Sequence, residues 1–159
     1  RNYMNILSEP AASTKDASIR WSLRDIPLSH GKHVCGRVAW TPRPQSVPVE
    51  SDLEAQAVAF FSQQPDLAAI HAQPFTINYS DHGAPRRYTP DLLVVFNRLS
   101  RVLVQLGFQR WTVVEVKAAS LLDANREDIA RRLAAVRTLL GFATVLLTER
   151  ELGQVGGRS

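Results

Sequence analysis

The stretch Trp111-Thr-Val-Val-Glu-Val-Lys117 constrains this chain more than any other, because it reads as a central strand carrying charge at two defined positions. Side chains alternate between the two faces of a strand, so Glu115 and Lys117 project together while Val114 and Val116 point the other way. A second apolar segment, Leu92 to Phe96, follows directly on Tyr88-Thr89-Pro90-Asp91. An acid and an amine on one strand face, with another acid at the start of a neighbouring strand, make a place for a divalent cation and a water beside it. That pattern points to metal-dependent phosphodiester hydrolysis.

The chain has 159 residues, 45% hydrophobic and 21% charged, which fits one domain with its own core. No apolar run approaches the ~20 residues needed to span a bilayer. Arg1 to Ala12 lack the apolar segment of a signal peptide, and Cys35 is the sole cysteine. The expectation is a cytoplasmic protein, associated with the nucleoid when active, with no disulfide partner and no membrane. A net charge of +4 and a pI near 9.7 favour a polyanionic partner. Of 19 basic residues, only Lys15, Lys32 and Lys117 are lysines. Arginine forks suit phosphate, whereas lysine is a compact ammonium whose pKa moves readily on burial. Lys117, on an apolar strand of an arginine-rich chain, therefore stands out.

Residues 1–36 read as an N-terminal arm, 37–152 as the domain and 153–159 as a tail that should fray. Val34 to Trp40 is a candidate strand, and Thr41-Pro42-Arg43-Pro44 with Pro48 a stiff connector. A helix is expected from Glu50 to Gln63, with Ser51 as N-cap and Glu54 completing a capping box. Leu53, Ala57, Phe60 and Phe61 form its apolar stripe, and Glu54 borders that stripe. Gln73 to Tyr79 alternates as a strand, Ser80-Asp81-His82-Gly83 is a hairpin turn, and a return strand runs through Tyr88 to Phe96. Pro90 should mark a bend or bulge that re-aims Asp91. The 14 residues from Asn97 to Arg110 are long for a hairpin connection and leave room for a small helix. A second helix is expected from Asn125, its cap, to Leu140, with Ile129, Leu133, Val136 and Leu140 inward and Gly141 as its stop. Ala143 to Leu147 completes the strands, and Thr148 to Leu152 forms a short last helix. The fold class expected is α/β: a mixed sheet flanked by helices.

Magnesium held by one or two carboxylates keeps positions open for water and phosphate. Asp91 and Glu115 suit that role, and the backbone carbonyl of Val116 is a third candidate ligand. Lys117 is placed to hold the attacking water and stabilise developing charge. Glu54 is a candidate for a second metal or for orienting waters of the first. Arg86, Arg87, Arg131 and Arg132 are candidates for gripping DNA phosphates. Each has a plainer structural reading as turn former, cap partner or solvated charge; the joint order of the residues is what favours chemistry. His30, His33 and Cys35 fall short of the four ligands of a structural zinc site, and His71 and His82 are isolated. Neither a glycine-rich phosphate loop nor a Ser-His-Asp arrangement is evident.

Glu54, Pro90-Asp91 and Glu115-Val116-Lys117 together resemble the PD-(D/E)xK nuclease pattern. More narrowly, residues 37 to 152 resemble TnsA, the endonuclease subunit of heteromeric transposases. The resemblance rests on Glu50 to Glu54, Gln73-Pro74, Tyr88 to Asp91, Glu115 to Lys117, Leu121 to Asp123, and Leu147 to Leu152. It implies a restriction-endonuclease-like αβββαβ core with flanking helices. It also implies catalytic Glu54, Asp91, Glu115 and Lys117, with Asp91, Glu115, Glu54 and the Val116 carbonyl around Mg2+, for which Mn2+ would substitute, and Gln73 in a supporting role. The implied activity is nicking of the 5′ strands at transposon ends in double-stranded DNA, beside a DDE transposase and an ATPase regulator. The alternatives are a stand-alone nuclease of restriction, repair or phage defence, and a non-catalytic nuclease-like domain for DNA binding or assembly.

Overall fold

The computed structural model describes residues 12–23, 28–29, 33–34 and 49–156. Its strands are β1 (Ala12–Trp21), β2 (Leu28–Ser29), β3 (His33–Val34), β4 (Leu67–Ala72), β5 (Phe75–Asp81), β6 (Ala84–Tyr88), β7 (Leu92–Phe96), β8 (Trp111–Val116) and β9 (Ala143–Leu147). The helices are α1 (Val49–Ser62), α2 (Arg101–Gln105), α3 (Ala119–Leu140) and α4 (Glu149–Gly156). A four-stranded sheet runs in the order β4-β7-β8-β9; its first two pairings are antiparallel and the last is parallel. A three-stranded antiparallel sheet, β1-β5-β6, lies beside it, and β2 pairs with β3. The fold is therefore mixed α and β, as expected. Among the described residues, no helix is long and apolar enough to cross a membrane.

Strand alternation gives the four-stranded sheet two apolar faces. On one face Leu92, Val94, Phe96, Val114 and Val116 pack with Leu53, Ala57, Phe60 and Phe61 of α1. On the other, Leu93 and Val113 pack with Ala135 and Val136 of α3 and with Phe75, Ile77, Tyr79 and Tyr88 of the smaller sheet. Phe61, Phe96 and Phe108 meet edge to face, with centroids 5.5–6.2 Å apart.

Several boundaries differ from those expected, for local reasons. The helix α1 starts at Val49, so Ser51 lies inside it and is not its cap. The strand β4 was not anticipated; its sequence, Leu-Ala-Ala-Ile-His-Ala, lacks both strict alternation and β-branched density. The single return strand expected through Phe96 is two strands in different sheets, parted at Thr89-Pro90-Asp91, where proline removes a ladder donor. Within 97–110 the small helix is α2, capped by Ser100, whose Oγ accepts from the Leu103 N–H. The helix α3 begins at Ala119, six residues before Asn125, whose side chain donates to the Leu121 carbonyl inside the helix. Gly141 ends it with φ 76°, a left-handed cap. Thr148 and Glu151 form a reciprocal cap on α4, which runs from Glu149 to Gly156. Residues 12–21, expected in an arm, pair with β5 as an edge strand. Residues 35–48, including most of the candidate strand and the proline connector, lie outside the described residues, as do 157–159.

Phe96 is fully buried and meets Phe61 of α1 and Phe108. Phe96→Ala is expected to lower unfolding stability by about 3–5 kcal/mol, read as a shift in the urea midpoint at unchanged slope.

Candidate metal centre

The hairpin β5–β6 is an excursion from the four-stranded sheet, and its neck sets Asp91. The chain leaves β4 at Gln73, which adopts φ 46°, and returns through Pro90. The two sides of the neck are tied by the Gln73 N–H donating to the Asp91 carbonyl at 2.9 Å, and by the Thr76 and Thr89 hydroxyls at 2.6 Å. Gln73 thus meets Asp91 through its backbone.

Beyond the neck, Leu92 pairs with Val114 and Leu93 with Val113. Leu93 and Val113 belong to the face under α3. Two residues further along each strand on that face stand Asp91 and Glu115. They meet where the ladder ends, and Asp91 Oδ2 accepts the Val116 N–H at 2.8 Å in place of a strand partner. The acid pair expected from the sequence is therefore brought together on one side of the sheet.

Glu115 is only 6% exposed. Its Oε1 accepts the Tyr88 hydroxyl at 2.5 Å. Burial, then repulsion from Asp91, raise its pKa from 4.5 to about 7, against the opposing pull of the Tyr88 hydrogen bond, Lys117 and Arg132. The same burial and the nearby Glu115 charge push the Tyr88 phenol well above its ordinary value. The motif Tyr88-Thr89-Pro90-Asp91 alone gives Tyr88 no role; its signal is its inward position on β6, opposite Ile77.

The other expected residues divide. Lys117 follows the last residue of β8, half-buried, with its N–H donating to the Leu147 carbonyl. Its charge favours ionised Glu115. Arg132 pairs with Asp128 at 2.6 Å, and its guanidinium lies 5.7 Å from the Tyr88 ring centroid. That contact braces the Tyr88 ring beside Glu115. Arg131 is exposed on α3, and Arg86 and Arg87 are exposed on β6, an edge strand.

Glu54 is half-buried on α1, the helix packed against the opposite face from Glu115. Among the described residues, no three His, Cys, Asp or Glu side chains form a group able to hold a metal ion.

The acid pair fits a hard divalent cation. Two carboxylates that repel one another in a buried corner are relieved by a shared positive charge, and their oxygens suit magnesium. Val116 brings its backbone to the same point through its bond to Asp91. The helix after Lys117 is secured from the far end of the chain: Glu149 Oε1 accepts the Ala119 N–H at 3.0 Å, which holds that carboxyl below its ordinary value. Neither the family models nor the curated proteins compared with this chain match it.

The shift of Glu115 predicts a pH dependence. Its folded pKa lies above the unfolded one, so its contribution is fully present below about 4.5 and lost as pH rises through about 7. Without metal, that loss is on the order of 3 kcal/mol. Glu115→Gln is expected to abolish this fall in urea titrations between pH 4.5 and 8. Tyr88→Phe removes a bond that favours the charged form, so the Glu115 midpoint, followed by NMR, should move further up.

Proposed function

We propose that this chain is a metal-dependent DNA endonuclease with a restriction-endonuclease-like core, of TnsA type. The observation that carries the reading is the convergence of Asp91 and Glu115 on one face at the end of neighbouring strands, with Lys117 two residues beyond Glu115. Topology supports it. From α1 to β9, with the β5–β6 excursion and the short helix α2 set aside, the order α1-β4-β7-β8-α3-β9 and the sheet order β4-β7-β8-β9, with only the last pair parallel, correspond to an αβββαβ core.

Asp91 and Glu115 would hold magnesium, with the Val116 carbonyl as a further donor. When bound there, the ion supplies acidity to a ligated water and shields charge on the phosphate. Tyr88 fixes the carboxylate of Glu115 through its hydroxyl, and Arg132 braces the Tyr88 ring. Lys117 holds the attacking water by hydrogen bonding and stabilises negative charge on the non-bridging oxygens. Glu115 must be ionised to bind a cation, so protons compete with metal below about pH 7. Nicking at transposon ends, with a DDE transposase and an ATPase regulator as partners, belongs to the same proposal and follows from the sequence resemblance.

The test is nicking of supercoiled DNA with Mg2+ or Mn2+, with the candidate transposase partner supplied. Asp91→Ala and Lys117→Ala are each expected to slow nicking about 100-fold or more, with wild-type rates climbing from pH 6 to 8. Equal nicking by all three proteins would remove the enzymatic reading.

A further inference from the structure

At the opposite end of β8 from Glu115, four aromatic rings form a continuous series from core to surface. Phe75 is fully buried. Trp21 meets it edge-on at 5.1 Å, and Phe142 lies against both, at 6.3 Å from Phe75 and 6.2 Å from Trp21. Trp111 stacks on Phe142 at 6.2 Å with only 9° between the ring planes. The outer rings remain open to solvent: Trp111 is 50% exposed and Trp21 45%. Large rings exposed to this degree and locked from beneath are preorganised for binding, because little side-chain freedom is lost when they are covered.

Charge selects the occupant. The connection leading into Trp111, residues 97–110, carries Arg98, Arg101 and Arg110, all exposed, and no acid. Arg110 is anchored at the mouth of β7 and β8, its Nε donating to the Phe96 carbonyl at 3.3 Å. Asp66, half-buried, approaches through its carbonyl, which accepts the Asn97 N–H, and leaves this end with a positive surplus. Open ring faces at the end of the sheet that also carries these exposed arginines suit an unpaired base with its phosphates; in a duplex the base faces are already covered.

We propose that Trp111, with Trp21 and the arginines of 97–110, is a binding surface for single-stranded nucleic acid, separate from the acid pair. Trp111 and Glu115 are four residues apart on one strand face, about 13 Å. Between them Val113 is fully buried beneath α3, so no open surface joins them along that face. The surface needs neither metal nor cleavage to bind.

Fluorescence anisotropy of a labelled oligothymidylate, in EDTA at low and moderate salt, tests the assignment independently of nicking. Wild type should bind, with affinity falling steeply as salt rises. Trp111→Phe, which keeps a ring, should stay within about threefold of wild type. Trp111→Leu, checked for an unchanged fold by circular dichroism, should weaken binding about tenfold or more. The double variant Arg98→Ala/Arg101→Ala should flatten the salt slope by roughly 1.4. Absence of wild-type binding at low salt, or equal affinity for Trp111→Leu, overturns the proposal; the latter leaves the rings to a protein partner.

Discussion

The centre of this protein depends on two acids being held where each opposes the other's charge. Asp91 and Glu115 arrive from neighbouring strands, and the burial of Glu115 limits how far water screens their charges. Glu115 responds by holding its proton to about pH 7. Such an arrangement costs stability at neutral pH, and a buried pair of like charges is common where a cation or a proton is to be exchanged. The groups around it oppose that cost in part. Tyr88 donates to Glu115, and Lys117 and Arg132 supply positive charge.

What keeps the acids in place is the architecture of the neck. Asp91 cannot relax away from Glu115, because its side chain accepts the Val116 N–H and its carbonyl accepts the Gln73 N–H. A glutamine at φ 46° is uncommon, and such strain persists only where surrounding contacts over-determine it. Pro90 serves the same end: it lies between the last pair of β6, at Tyr88, and the first of β7, at Leu92, so Asp91 stands outside both ladders. The excursion β5–β6 also delivers Tyr88 to Glu115, so one hairpin supplies both the constraint and the partner.

Much of this was legible in the residues. Alternation in Val113 to Lys117 identified β8 and the side on which Glu115 lies, and Pro90 marked the break that frees Asp91 from the ladder. Gly141 and the stripe Ile129, Leu133, Val136 located the later part of α3. Other parts were not legible, because they depend on partners distant along the chain. The strand β4 is held by pairing with β7 despite weak intrinsic preference. The start of α3 at Ala119 has no side-chain cap of its own and draws one from Glu149, thirty residues on. The helix α1 packs Leu53, Ala57, Phe60 and Phe61 on the face of the sheet away from Glu115, which the stripe alone could not specify. The role of Arg132 required knowing that Tyr88 and Asp128 lie beside it.

The central claim is that Asp91 and Glu115 serve one cation between them. Calorimetric titration of Mn2+ at pH 8 into wild type, Asp91→Ala, Glu115→Gln and the double variant measures this directly. A shared ion predicts saturable binding to wild type, at least tenfold weaker binding in either single variant, and little further loss in the double variant. Independent, additive losses, or no saturable binding by wild type, would contradict it.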